Sequence, residues 1–209
     1  MTGNEKQLRE WCGAFGDAYI DRNLTTPERV RQRARAFARI LSHLAGAPPA
    51  SILEVGANVG FNLRALEQLT GAELHAVEPN ARAREILLAD GVLAADRLHD
   101  ATASALPFVD GAMDLVFTSA VLIHIPDAAL EQAYREIHRV SRRYILSMEY
   151  FSPTPVTVPY RGHGDMLFKR DYGSLWLDLF ADLELVADGF FWKRTTGLDN
   201  VNWWLFRKP

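Results

Sequence analysis

Leu53-Glu54-Val55-Gly56-Ala57-Asn58-Val59-Gly60 is the stretch on which the reading of the fold turns. An apolar run ends at Val55, two glycines bracket three residues, and Phe61–Leu69 resumes with apolar residues at helical spacing. Strand, tight turn and helix in that order make one arm of a βαβ unit. Outward from the turn the pattern repeats. Glu73–Val77 reads as a second strand, Ala81–Ala89 as a helix, residues 97–99 as a short third strand and Met113–Ser119 as a fourth. Residues 128–140 read as a helix and 144–149 as a fifth strand. Such alternation predicts a parallel sheet covered on both faces, with right-handed crossovers. Residues 174–180 read as a short helix. The apolar runs 183–194 and 200–207, joined by a turn at Thr196-Gly197-Leu198-Asp199, then predict a C-terminal antiparallel hairpin and a mostly parallel sheet of seven strands. The whole chain, 1–209, reads as one domain. Residues 1–50 form a helical lid, 51–151 the ligand-binding core, and 152–209 a substrate loop followed by the hairpin.

A ligand lying on the turn 56–60 meets free backbone N–H groups and the positive end of a helix dipole. Glu78 ends the second strand, where its carboxylate is placed to accept hydrogen bonds from the two ribose hydroxyls of a nucleoside, with Pro79 beside it. A dinucleotide fingerprint needs glycine at 58 and 61, where Asn58 and Phe61 stand; a P-loop needs Lys then Ser or Thr after the glycine, where Phe61-Asn62 stand. Glu54-x-Gly56-x-Asn58-x-Gly60 instead resembles the first motif of class I S-adenosylmethionine-dependent methyltransferases. That resemblance implies an α/β, Rossmann-like class I methyltransferase fold whose loop wraps the methionine half of S-adenosyl-L-methionine, with S-adenosyl-L-homocysteine as product. Leu98-His99-Asp100-Ala101-Thr102 is similar to the third-strand motif of these enzymes, which implies that Asp100 and Ala101 hold the adenine edge. The stretch from Met113 to Asp127 resembles their fourth-strand motif, which implies that the backbone at Thr118 and Ser119 faces the cofactor's amino acid end. All four segments converge at the carboxyl ends of the strands, where parallel sheets bind ligands.

More specific stretches are Phe15–Asn23, Val121-Leu122-Ile123-His124-Ile125, Tyr150-Phe151-Ser152-Pro153-Thr154-Pro155-Val156-Thr157-Val158-Pro159-Tyr160-Arg161-Gly162-His163 and Leu167–Tyr172. These resemble the pseudaminic acid biosynthesis-associated methylase family, and the Pro-Thr-Pro to Arg-Gly-His segment is what sets that group apart. The resemblance implies a small-molecule acceptor, methylated on oxygen or nitrogen in sugar or natural-product biosynthesis, without identifying it.

Methyl transfer needs an acceptor atom in line with the reactive methyl group, water excluded, and a base where a hydroxyl or protonated amine is the nucleophile. His124, just past the fourth strand, is the first candidate base; packing beside the cofactor is its alternative role. Glu149 and His163 are the other catalytic candidates. Tyr150, Tyr160, Arg161 and, from the lid, Arg22 are assigned to the acceptor, and Tyr19 to the cofactor's carboxylate end. Pro153, Pro155 and Pro159 stiffen the intervening loop by fixing φ. Arg161, Lys169 and Arg170 are candidates to hold a carboxylate or phosphate on the acceptor, with Lys169 and Arg170 also readable as surface charges. The arginines at 29, 31, 33, 35 and 39, between the apolar positions of residues 27–44, read as a solvated helix face. Phe190, Phe191, Trp192, Trp203 and Trp204 read as sheet core or a dimer face rather than a substrate box.

Composition bounds the alternatives. A net charge of −3 over 209 residues gives no long-range attraction to nucleic acid or anionic membranes. Cys12 is the only cysteine, so no internal disulfide forms and no thiolate zinc site exists; no carboxylate–histidine cluster has metal-ligand spacing. Met1-Thr2-Gly3-Asn4-Glu5-Lys6 lacks the apolar core of a signal peptide, and the apolar windows are too short to span a bilayer. A soluble, cytoplasmic protein, monomer or homodimer, is expected. An RNA or protein methyltransferase is disfavoured, because Thr118-Ser119-Ala120-Val121 stands where an Asn/Asp-Pro-Pro-Tyr tetrapeptide would follow the fourth strand. A cofactor-binding partner without catalysis stays open, since fold alone does not give chemistry.

Overall fold

The strand before the glycine turn is Ser51–Val55 (β1) and the helix after it Phe61–Leu69 (α4), so the unit on which the sequence reading rests is present. The structure, a computed structural model, describes residues 3–23 and 25–209; Met1, Thr2 and Leu24 lie outside it, and with them part of the hydrophilic N-terminal stretch. Upstream stand α1 (Gly3–Cys12), α2 (Ala14–Arg22) and α3 (Pro27–Leu41). Downstream follow β2 (Glu73–Val77), α5 (Ala81–Ala89), β3 (Leu98–His99), β4 (Met113–Ser119), α6 (Asp127–Val140) and β5 (Ser141–Glu149). The chain ends through β6 (Val156–Thr157), β7 (Phe168–Lys169), α7 (Tyr172–Leu179), β8 (Glu184–Phe191), α8 (Lys193–Thr196) and β9 (Val201–Arg207).

Seven strands form one sheet in the order β3-β2-β1-β4-β5-β9-β8. The pairs from β3 to β5 are parallel, β9 runs antiparallel to β5, and β8 antiparallel to β9. The mostly parallel sheet with its C-terminal hairpin is therefore as expected. Because β8 reverses the direction of β9 again, β9 alone opposes the rest. Apart from shifts of one to three residues at element ends, two stretches differ from the sequence reading. Lys193–Thr196 turns into a short helix instead of extending the strand, with Gly197 closing it in the left-handed region at φ 74°. Residues 152–164, read as loop, contribute Val156–Thr157 to a small two-stranded sheet with Phe168–Lys169.

Side-chain alternation along the strands sorts the core into two layers. Ile52, Leu115 and Phe117 face one way and pack with Phe37, Ile40, Leu63 and Leu66 of α3 and α4. Leu53, Val116 and Ile145 face the other way and pack with Tyr134 and Ile137 of α6 and Trp176 of α7. Phe191 and Trp203 are buried in the first layer, as a sheet-core reading requires, whereas Phe190 and Trp192 stand half exposed. Caps fix where the helices begin. Pro27 opens α3 behind Thr26, whose hydroxyl accepts from the Arg29 amide (3.3 Å); Asn80 caps α5 through the Ala83 amide (2.9 Å). The strand order reverses beside β1, between β2 and β4, so the crevice of the sheet opens at the carboxyl ends of β1 and β4.

Candidate active site

Three residues in five of the turn after β1 are left-handed: Gly56 (φ 77°), Asn58 (φ 48°) and Gly60 (φ 77°). Glycine is needed at 60 for space as well, since a Cβ there would sit 2.5 Å from Leu87 Cδ2. Asparagine is among the few side chains that tolerate this region, and Asn58 adds a hydrogen bond from the Val59 amide to its Oδ1 (2.7 Å). Glu78 locks the turn from the end of β2. Its Oε2 accepts from the Asn58 amide (2.7 Å) and its Oε1 from the Asn80 amide (2.9 Å). Burial nevertheless pushes its carboxyl above the ordinary range. Each oxygen keeps a further lone pair, and the side chain lines the cleft above the turn.

That cleft has two compartments, which share Tyr19, Gly56, Asn58, Ser119, Ala120 and His124. The mainly apolar one lies over Glu78 and Pro79, with Ala101 and Thr102 along one side and Gln7, Leu8 and Trp11 of α1 as its roof. Trp11 packs on Phe15 (ring centroids 5.0 Å), Tyr19 (5.3 Å) and His124 (4.5 Å), joining the N-terminal helices to the cleft floor. The polar compartment extends past Glu54, Arg29 and Arg33 to Tyr150, Tyr160 and Arg161, and is closed by Lys193 and Asp199.

Glu54 is 2% exposed. Its Oε1 accepts from Asn62 Nδ2 (2.6 Å), while Oε2 is buried without a partner. Desolvation holds its carboxyl up at about 8, against the pull of Asn62 and of the Arg33 guanidinium. Arg33 is itself desolvated. It rests 4.5 Å over the Phe61 ring, and its only hydrogen bond among the described residues goes to the Arg29 carbonyl at 3.4 Å. An acid with an orphaned oxygen and a guanidinium without a carboxylate thus face one cavity.

His124 has a fixed tautomer. Its Nδ1 lies 2.6 Å from the Met166 carbonyl, which can only accept, so Nδ1 carries the proton and Nε2 the lone pair. Burial draws its pKa down to about 4, leaving the ring neutral.

Several expected residues stand elsewhere. Glu149 does not border the cleft. It is fully buried, and its two oxygens accept from the amides of Val121, Leu122 and Ile123 (3.2–3.3 Å), so it holds the segment that carries His124. Burial raises its carboxyl to about 7. His163 lies outside the cleft lining, edge-on to Phe15 (5.2 Å). Asp100 turns outward to Arg84 (2.7 Å), leaving Ala101 and Thr102 to face the cavity. Thr118 is enclosed one residue below Ser119. Arg170 is buried and committed to Asp127 (2.6 Å) and the Tyr172 hydroxyl (3.1 Å), and Lys169 sits over the Tyr150 ring (5.7 Å). Arg22 lies against Tyr19 outside the lining (6.0 Å to the ring). Of these, Glu149, Thr118 and Arg170 are buried, whereas Asp100, His163, Lys169 and Arg22 keep solvent exposure outside the cleft lining. Tyr19, Glu54, Gly56, Asn58, Glu78, Pro79, Ala101, Ser119, Tyr150, Tyr160 and Arg161 line the cleft, while Gly60 shapes it from below.

Sequence reasoning missed Trp11, Arg29, Arg33, Lys193 and Asp199. For Arg33 a signal existed. It falls three residues after Val30 and four before Phe37, inside the apolar stripe of α3 and not between stripes. Nothing local marked Lys193 and Asp199, which reach the cleft because β8 and β9 return beside β5.

Residues 53–144 match the family described as a methyltransferase domain. Uncharacterized methyltransferases from Mycobacterium strains JLS and KMS are each 30% identical over 167 residues, 70% of this chain, and the chain spans 62% of their length. Among solved structures, the Burkholderia thailandensis 1,6-didemethyltoxoflavin-N1-methyltransferase, bound to 1,6-didemethyltoxoflavin and S-adenosylhomocysteine, superposes with a TM-score of 0.73 at 19% identity. The match covers 100% of this chain and 91% of that one. Magnesium protoporphyrin IX methyltransferase from Synechocystis, with bound S-adenosylmethionine, gives 0.70 at 12% identity, covering 100% and 98%. The fold is thus the class I methyltransferase fold. S-adenosylmethionine fits the cleft on the chain's own terms. Glu78 offers acceptors to a nucleoside, and the orphaned Glu54 oxygen and the Arg33 guanidinium offer partners to an amino acid's ammonium and carboxylate. Among the described residues no group of three or more His, Cys, Asp or Glu stands close enough to hold a metal, and no helix is long and apolar enough to cross a membrane.

Proposed function

We propose that the protein is an S-adenosylmethionine-dependent methyltransferase acting on the oxygen or nitrogen of a small molecule. The observation that carries the reading is the junction of the two compartments at Ser119, Ala120 and His124, with Glu78 on one side and the Glu54–Arg33 pair on the other. In this reading Glu78 accepts from the ribose hydroxyls, Ala101 and Thr102 border the base, and Glu54 and Arg33 take the two charges of the amino acid end. Tyr19 and Trp11 close the lid over it and exclude water.

Held by Glu78, Glu54 and Arg33, S-adenosylmethionine would supply an electrophilic methyl group to a lone pair of the acceptor, with the neutral thioether as leaving group. His124 Nε2 accepts the acceptor's O–H or N–H hydrogen bond, aims that lone pair, and receives the proton as the methyl group is transferred. A ring drawn down to about 4 is unprotonated across the working pH range. It suits a proton that becomes acidic only as the new bond forms. Glu149 acts through His124 by holding residues 121–123.

Resemblance of the 150–163 segment to the pseudaminic acid-associated methylases supports a place in sugar or natural-product biosynthesis. The single exposed Cys12 is in keeping with a reducing cytoplasm. Titration calorimetry with S-adenosylhomocysteine tests the cofactor, and transfer of a labelled methyl group to a metabolite panel tests the reaction. Binding without transfer to any acceptor would favour a non-catalytic cofactor-binding protein, and absence of binding would remove both readings.

A further inference from the structure

The polar compartment carries more positive charge than the proposed cofactor uses. Arg33, Arg161 and Lys193 line it against two carboxylates, Glu54 and Asp199. Asp199 is already shared, taking Lys193 Nζ at 3.0 Å and the Tyr150 hydroxyl at 3.1 Å. An amino acid end brings one charge of each sign and leaves the excess unchanged; a sulfonium adds to it. Arg161 is exposed at the mouth of this cavity and, among the described residues, no carboxylate pairs with it, so an anion that enters from outside meets a guanidinium the chain does not neutralise.

Arg161 is the cation best placed to meet it. With Gly162 it makes the two-residue tip of a hairpin in which Tyr160 and His163 exchange both backbone hydrogen bonds (2.8 and 3.0 Å). Both tip residues have positive φ, 50° and 86°, as a type I′ turn requires. Asn, Asp or Gly suits the first of these positions. Arginine is held there against its backbone preference, and strain of this kind gathers at ligand sites. The hairpin is braced from the lid, by Phe15 against Tyr160 and by the Lys6–Asp165 ion pair (2.8 Å). Among the described residues Arg161 makes no ion pair; its guanidinium lies 5.7 Å from the Tyr160 ring.

We propose that the methyl acceptor is a small-molecule anion, a carboxylate or a phosphate monoester, whose charged end is taken by Arg161 together with Lys193 and whose hydroxyl or amine is turned toward His124. The proposal rests on the methyltransferase reading for the word acceptor, and on the cavity alone for the anion. Arg161 offers a planar fork to either group, while Tyr150 and Tyr160 supply aromatic walls for the body of the molecule. The acceptor's charge then completes a site that the chain leaves incomplete.

The test uses the full chain, free and saturated with S-adenosylhomocysteine. Ligand-observed NMR and calorimetry compare matched probes: benzoate with benzamide, 4-hydroxyphenylacetate with its amide, and phenyl phosphate with phenol. The acid of each pair is expected to bind at least tenfold more tightly than its neutral partner, with added salt narrowing the gap. The tightest acid tells carboxylate from phosphate. Arg161→Gln should weaken the acids tenfold or more, leaving S-adenosylhomocysteine affinity and the neutral probes within about twofold, and Arg161→Lys should restore part of the loss. No preference for the acids, or a preference that survives Arg161→Gln, would overturn the proposal. Acid binding through Arg161 in a protein that ignores S-adenosylhomocysteine would keep the anion site and reject the methyltransferase reading.

Discussion

Replacing Glu54 by Gln separates what this side chain does to the fold from what it does for a ligand. The substitution keeps the shape and the oxygen that accepts from Asn62 (2.6 Å in the wild type), and removes the ionisable group. In the folded protein the carboxyl titrates at about 8, against 4.5 as its ordinary value. Between those values the unfolded chain has already lost the proton that the folded chain retains. Stability from this group is therefore complete below pH 4.5 and is lost as pH rises to about 8, at ~1.4 kcal/mol per pH unit and ~5 kcal/mol in total as an upper bound. Gln feels none of that slope. At pH 5 the variant should be equal to or ~1 kcal/mol less stable than wild type, because its amide nitrogen lacks a partner where Oε2 lacked one. At pH 8 it should be more stable by a few kcal/mol. Ligand binding should move the other way. If Glu54 meets the cofactor's ammonium, losing that charged hydrogen bond costs ~1.5–3 kcal/mol, or roughly 10- to 150-fold in affinity for S-adenosylhomocysteine. Wild-type binding near pH 7 should also release on the order of one proton, as the ammonium ionises an acid that was neutral. Urea denaturation at both pH values, with calorimetry in buffers of different ionisation enthalpy, reads all of this. A stability difference that does not change with pH, or an unaltered affinity without proton release, would refute the assignment.

Other outcomes follow from the same geometry. His124→Ala should lower turnover by about 10²-fold or more while S-adenosylhomocysteine still binds, and the wild-type rate profile should show no histidine limb near pH 6.5. Because its pKa is depressed to about 4, the stability His124 contributes is present above 6.5 and lost as pH falls through that window, a loss that acid titration of the Ala variant would not show. Trp11→Ala opens the roof over the apolar compartment and should weaken S-adenosylhomocysteine by ~1–2 kcal/mol, with global unfolding little changed; equal affinity in a titration would remove α1 from the site. Gly60→Ala places a Cβ in the left-handed region 2.5 Å from Leu87, so urea unfolding should report a loss of ~2–3 kcal/mol; wild-type stability would mean that the turn relaxes freely.

How far the sequence could be read depends on how local each cause is. The alternation of strand and helix from 51 to 149, the glycine turn and Glu78 were legible, because side-chain periodicity and the φ demands of a turn act over a few residues. That much determines a parallel sheet with a nucleoside-type site at its carboxyl edge. Which side chains look into that site was decided by packing between elements far apart in the chain. Glu149 ends a strand next to the cleft and reads as a catalytic candidate, yet the sheet turns it beneath three amides of another segment. Arg170 reads as an anion ligand until Asp127 is found beside it, and His163 until the hairpin tip turns it toward Phe15. Conversely, Arg33 becomes a site residue because α3 packs on α4 beside the turn, and Lys193 and Asp199 because the last two strands return beside β5. Backbone rules travel with the sequence; the direction and pairing of a charged side chain are set by whatever the finished fold brings within a few ångströms of it.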